Sequence, residues 1–141
     1  MTNRLVLIDT SVWILALRKA PVPSVKQRVY ELLGENRVAT APIICLELLG
    51  GAGSEMEFDR LKSRLAALHQ VPLGEGDWEK AARLAFTLRR RGGTFPYADI
   101  LIGSLAMTND LLLLHADRHF DLIAQEVPLS VESTVSLVGQ G

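Results

Sequence analysis

Five short apolar runs, separated by stretches of helical periodicity, constrain this chain more than any other feature. "RLVLI" at 4–8, "RVATA" at 37–41, "HQVPL" at 69–73 and "DLLLLH" at 110–115 read as strands buried on both faces, with "VPLSV" at 127–131 a weaker fifth. Between them, "SVKQRVYELLGEN" opens at a predicted N-cap, Ser24, and puts Val25, Val29, Leu32 and Leu33 on one face. "EMEFDRLKSRLAALH" repeats Phe58, Leu61, Leu65 and Leu68 at the same spacing. "DWEKAARLAFTLRRRGG" starts at Asp77, keeps Trp78, Ala81, Ala82, Ala85 and Leu88 together, and stops at Gly92 and Gly93. Helices alternating with short buried strands predict an α/β sandwich with a parallel sheet and right-handed crossovers.

At 141 residues the chain has the size of one domain, which we place at 1–137, with 138–141 expected to fray. The N-terminus "MTNRLVLID" fits neither a secretory signal nor a membrane span, so a cytoplasmic protein is expected. Fifteen Lys and Arg stand against sixteen Asp and Glu, which argues against a polyanion binder that works through bulk charge. Arg89 to Arg91 form the densest basic cluster and read as cations complementing a helix C-terminus. Cys45 is the only cysteine and suits a small core position; it allows no intramolecular disulfide and no multi-cysteine metal site.

Four acids then require an explanation. Asp9, in "LVLIDTSVWI", ends the first strand, where open α/β sheets bind ligands. Asp9, Thr10 or Ser11 could equally cap the following helix "SVWILALRK". Glu47 follows the second strand on the face of Ile43 and Ile44, a stripe expected to point inward, so that the glutamate looks across at Asp9; the edge of the stripe is the alternative. Asp99 falls in the first turn of a helix opened by Pro96 and shares its face with Ile102, Gly103 and Ala106. Asp117 follows the strand "DLLLL" and can also cap "RHFDLIAQ". Four carboxylates converging on one rim of a sheet cannot all ionise in an apolar cleft unless a divalent cation neutralises them. An all-oxygen ligand set points to Mg²⁺ or Mn²⁺, and such a site activates water and stabilises charge on a phosphoryl group.

With these residues in place, the chain resembles the PIN-domain ribonucleases and, within them, the VapC-type toxins of toxin–antitoxin pairs. "LIDTSVWI", "ICLELLGG", "PYADILIGSLA" and "HADRHFD" look like the four acidic motifs of that family in their order and spacing, over essentially the whole chain. The resemblance implies a PIN-like three-layer α/β/α sandwich with four or five parallel strands, a homodimer, and Mg²⁺- or Mn²⁺-dependent endonucleolytic cleavage of RNA. On that reading Asp9, Glu47 and Asp99 hold the metal and Asp117 completes the pocket, with Thr10 or Ser11 orienting water or phosphate. The family often has Thr or Ser where this chain has His115. His115 and His119 could touch phosphate, with a structural or solvated role as the favoured alternative, and His69 is a weaker candidate. The resemblance also implies a VapB-like antitoxin whose C-terminal segment lies along the toxin and sets a basic side chain in the acidic pocket. Trp13, Ile14, Leu17, Val29, Tyr30 and Leu33 are candidates for its groove, with ordinary core as the alternative.

Two other classes compete. A PIN-like module could bind RNA or protein without cutting, against which the intact set of four acids counts. A phosphotransfer protein could use Asp9 as acceptor. The phosphatase version of that reading wants a second acid where Ser11 stands, and a receiver-like domain wants paired acids and a late lysine that the sequence lacks.

Overall fold

The computed structural model describes residues 4–138. Its strands are β1 (Val6–Ile8), β2 (Val38–Thr40), β3 (His69–Gln70), β4 (Leu112–His115) and β5 (Val131–Ser133). All pair in parallel in the order β3-β2-β1-β4-β5. The helices are α1 (Thr10–Leu17), α2 (Pro23–Gly34), α3 (Pro42–Gly50), α4 (Glu55–Ala66), α5 (Glu75–Arg90), α6 (Tyr97–Thr108), α7 (Arg118–Glu126) and α8 (Val135–Val138). Parallel strands need crossovers, and these helices supply them, so the expected α/β/α sandwich is what forms. Every residue of β1 and β2 is buried, which requires helices over both faces of the sheet. No helix among the described residues is long and apolar enough to cross a membrane.

The strand order places the site. From β1 the chain steps outward through β2 to β3, then returns through α5 and α6 to lay β4 on the free side of β1. The carboxyl ends of β1 and β4 therefore flank the switch point of the sheet, the position at which α/β folds open a crevice. Register fixes the neighbours there: Ile8 pairs with Leu114, and the Asp9 N–H donates to the Leu114 carbonyl at 2.9 Å. Beneath lies a core that includes Leu7, Ile8, Ile102, Leu113, Leu114 and Phe120, all 1 % exposed or less.

Several local expectations are corrected. α2 is not capped by Ser24; Val22 takes the cap position without a side-chain bond and Pro23 occupies the first turn, where its fixed φ suits helix entry. α5 begins at Glu75 rather than Asp77, and the Asp77 carboxylate reaches back to accept the Gly74 N–H at 2.7 Å. Trp78 and Ala82 lie off the buried face of α5, which is Ala81, Leu84 and Leu88, and Phe58 is exposed on α4, where Leu65 alone is buried. β5 forms at 131–133, so the run "VPLSV" at 127–131 contributes only its last residue to it. Val138 is the last residue of α8, and 139–141, expected to fray with it, lie outside the described residues. Arg89 and Arg90 do end α5, and Arg91 turns away to donate to the Glu126 carbonyl. His69 is structural: its Nε2 lies 2.9 Å from the Asn36 carbonyl.

Candidate metal centre

Asp9 is both the end of β1 and the cap of α1. Its Oδ2 takes the Ser11 N–H at 3.0 Å and the Ser11 hydroxyl at 2.5 Å. At 4 % exposure it is the most buried carboxylate of the rim. Burial pushes its pKa up, the Ser11 bonds oppose that rise, and the Asp117 charge adds to it. Ser11 Oγ also accepts the Ala116 N–H at 3.0 Å and so ties Asp9 to the loop after β4.

Asp99 stands in the first turn of α6, its side chain 14 % exposed. Its pKa is likewise raised, first by burial, with the charges of Asp117 and Asp9 pushing the same way and the His119 bond opposing them. Asp117 caps α7, accepting the His119 N–H on Oδ1 at 2.9 Å, so its capping role and its place on the rim coincide. Between the two carboxylates sits His119, with Nδ1 2.8 Å from Asp99 Oδ2 and 3.4 Å from Asp117 Oδ1 and its ring edge-on to Phe95. One ligand atom from each of Asp99, Asp117 and His119 lies within 4.8 Å of the others. Among the described residues no lysine or arginine pairs with Asp9, Asp99 or Asp117.

Glu47 departs from expectation. α3 buries Ile44 and Leu48, and Glu47, three residues past Ile44, is exposed at the edge of that stripe, the alternative that its spacing left open. Its Oε1 accepts the Thr10 hydroxyl at 2.8 Å, which anchors it one residue from Asp9 but outside the Asp99–Asp117–His119 cluster. Both hydroxyls considered from the sequence are thus engaged, Thr10 with Glu47 and Ser11 with Asp9 and Ala116.

Two residues at this rim were not legible as site members. His119 was read as structural or solvated, with phosphate contact as the alternative, and only the fold brings it against Asp99. Asp121 has Oδ1 3.1 Å from His115 Nε2, and its Oδ2 accepts the Ser133 hydroxyl at 2.9 Å. His115 itself is fully buried, as its structural reading requires, and burial holds its pKa below the ordinary histidine value.

Burial and neighbouring carboxylate charge raise the pKa of Asp9 and Asp99, and no lysine or arginine among the described residues pairs with this rim, so its negative charge suits a divalent ion. The carboxylate oxygens are donors of the kind that Mg²⁺ and Mn²⁺ take, whereas the imidazole beside them suits softer divalent metals.

Comparison with known proteins agrees with this geometry. The family model described as the PIN domain matches residues 6–126. Ribonuclease VapC32 of Mycobacterium tuberculosis (strain CDC 1551 / Oshkosh) is 31 % identical over 133 residues, covering 94 % of this chain and all of that protein. Among solved structures, VapBC2 from Rickettsia felis, bound to a DNA fragment from its promoter, superposes with a TM-score of 0.72 at 21 % identity, over 92 % of this chain and 98 % of that one. A toxin–antitoxin complex from Klebsiella pneumoniae superposes with a TM-score of 0.69 at 18 % identity, over 90 % and 96 %. At those identities the solved structures speak for the fold alone, while the family match and VapC32 speak for descent: the chain belongs to the PIN-domain family.

Proposed function

We propose that this chain is a Mg²⁺- or Mn²⁺-dependent endoribonuclease and the toxin of a toxin–antitoxin pair, hydrolysing internal phosphodiester bonds of RNA at the acidic rim. The observation that carries this reading is the meeting of Asp99, Asp117 and His119 at the switch point of the sheet, with the charge of Asp9 bearing on Asp99 and no lysine or arginine among the described residues paired with any of the three carboxylates. A divalent ion held there supplies a Lewis acid that polarises water and a phosphoryl oxygen. The chain's own residues hold and aim it. Ser11 takes Asp9 Oδ2 and leaves Oδ1 as the ligand. Asp99 and Asp117 face each other across His119. Glu47, tethered by the Thr10 hydroxyl, would help to hold the ion from the outer edge of the rim. The test is a labelled RNA of mixed sequence with the purified chain. Internal cuts appear with Mg²⁺ or Mn²⁺ and vanish in excess EDTA; cutting that persists in EDTA sinks the metal mechanism, and no cutting with either ion favours the non-catalytic module.

The partner follows from a second surface. A groove of about 440 Å³ runs between α1, α2 and α4, lined by Trp13, Leu17, Val29, Tyr30, Leu33 and Leu65, with Lys26 and Arg64 at its margins. Trp13 is buried and its Nε1–H has no hydrogen-bond partner among the described residues. An amphipathic antitoxin segment with acidic flanks and a backbone carbonyl over Trp13 would satisfy all three features. Of the residues named from the sequence, Ile14 falls outside this groove. Leu17 is 49 % exposed, so Leu17→Glu should spare the fold. We expect it to weaken the complex with the antitoxin at least ~10-fold, as loss of a central apolar anchor does, with RNA cutting unchanged. Equal antitoxin affinity, read by calorimetry, would remove the groove assignment.

The homodimer is assigned to the apolar strip between α5 and α6, where Trp78, Phe86 and Tyr97 are 58 %, 54 % and 78 % exposed. Light scattering that reads a single chain's mass would overturn that assignment.

A further inference from the structure

A histidine at the buried end of a parallel strand is costly unless its ring nitrogens are used. His115 closes β4, 0 % exposed, and both nitrogens have neighbours. Nδ1 accepts the Asp117 N–H at 3.2 Å, closing a side-chain turn of the kind that asparagine, aspartate, serine and threonine form with the N–H two residues on. A nitrogen that accepts carries no proton, so in the neutral ring the proton sits on Nε2, which lies 3.1 Å from Asp121 Oδ1. That contact is close but not aligned as a hydrogen bond, so its effect is electrostatic: the carboxylate favours the Nε2–H tautomer. Asp121 is held in turn by the Ser133 hydroxyl at the end of β5. From the same strand end, the Thr134 N–H and hydroxyl both donate to the His115 carbonyl, at 2.8 and 2.9 Å.

We propose that His115 is a positioning residue for Asp117: its Nδ1 lone pair fixes the β4–α7 turn that aims the carboxylate at the metal centre, in the tautomer that Asp121 sets. The inference rests on the reading of Asp117 as a metal ligand. The two bonds on Asp117 divide the work, since His119 N–H holds the carboxylate and His115 Nδ1 holds the backbone beneath it. Groups that hold a metal ligand in place without binding the metal themselves change metal affinity by about 10- to 100-fold when removed.

Two substitutions separate the ring's two edges. Asparagine places an amide acceptor where Nδ1 stands, and glutamine places an amide where Nε2 stands. His115→Asn should therefore keep Mn²⁺ affinity within about 3-fold of wild type by calorimetry, and His115→Gln should lose about 10-fold or more. Thermal melts of both metal-free proteins run alongside, because a residue that only fills space would lower both melts and both affinities together. Equal affinity in the two variants, or losses that track the melts, overturns the proposal. Should neither variant fold, the wild-type protein still decides. With only three histidines in the chain, ¹⁵N chemical shifts resolve the His115 ring. An unprotonated Nδ1 with a protonated Nε2 is expected, and the opposite tautomer overturns the proposal. A wild-type chain that binds no Mn²⁺ while showing the expected tautomer overturns the metal-centre reading and this inference with it, so the two failures are distinguishable.

Discussion

Asp99→Asn lowers metal-dependent RNA cleavage by about 10³-fold or more and raises the melting temperature of the metal-free protein. The loss follows from removing an anionic ligand at a centre whose Lewis acidity contributes several kcal/mol to the transition state, each ~1.4 kcal/mol being a factor of ten. The gain in stability follows from linkage. Asp99 has its folded pKa raised above the unfolded value by burial and by Asp117 and Asp9, so the fold favours the protonated acid. Its ionisation therefore costs stability that is absent below about pH 4, grows as pH rises through the folded pKa, and is complete above it. Asparagine never ionises. The two melting curves should coincide near pH 4 and separate toward neutrality, with the variant ahead. Added Mn²⁺ should reverse the order, because it binds only the wild-type site well. Wild-type cleavage by Asp99→Asn would remove Asp99 from the metal set; an unchanged melt with lost activity would mean that the neighbouring charges are already balanced in the free protein.

What could be read in advance divides along a physical line. Asp9 and Asp117 were legible because each follows a buried strand at once, and the end of a parallel strand is a position that local pattern reveals. Their adjacency needed the strand order, which periodicity does not encode: the return of the chain from β3 to the far side of β1 puts residues 9 and 117 on neighbouring strand ends. Glu47 shows the opposite case. Helical spacing sets it beside Ile43 and Ile44, yet a 100° step per residue is coarse enough that one position at the edge of a stripe can turn outward, and Thr10 supplies it with a partner there. Trp78 and Phe58 were assigned to the core because periodicity finds an apolar face without saying what covers it. His119 depends on a contact twenty residues away in α6, and no local signal distinguishes it from a solvated histidine.

The largest effect on the fold is expected from Phe120→Ala. Phe120 is fully buried, and together with Ile123 it makes up the buried face of α7. Truncating a phenylalanine in such a place costs about 3–5 kcal/mol, which for a chain of this size lowers the melting temperature by roughly 10–15 °C. The cost should fall on the site as well. The Phe120 ring lies 5.3 Å from that of His115, tilted by 55°, and α7 carries Asp117 at its cap and His119 in its first turn. A cavity behind that turn lets the helix start shift against β4, so Mn²⁺ affinity should fall even at temperatures where the variant remains folded. Phe120→Leu fills most of the volume and should lose less in both respects. Urea unfolding of the three proteins measures the fold, since a lower midpoint at an unchanged slope reports stability alone, and calorimetry below the transition measures the site. If Phe120→Ala melts within 2 °C of wild type, the packing of α7 on the sheet is not what holds it there. If it melts as expected but binds Mn²⁺ as tightly as wild type, the β4–α7 turn keeps its shape without the helix behind it, and the contacts made by Ser11, His115 and His119 are sufficient to aim Asp117.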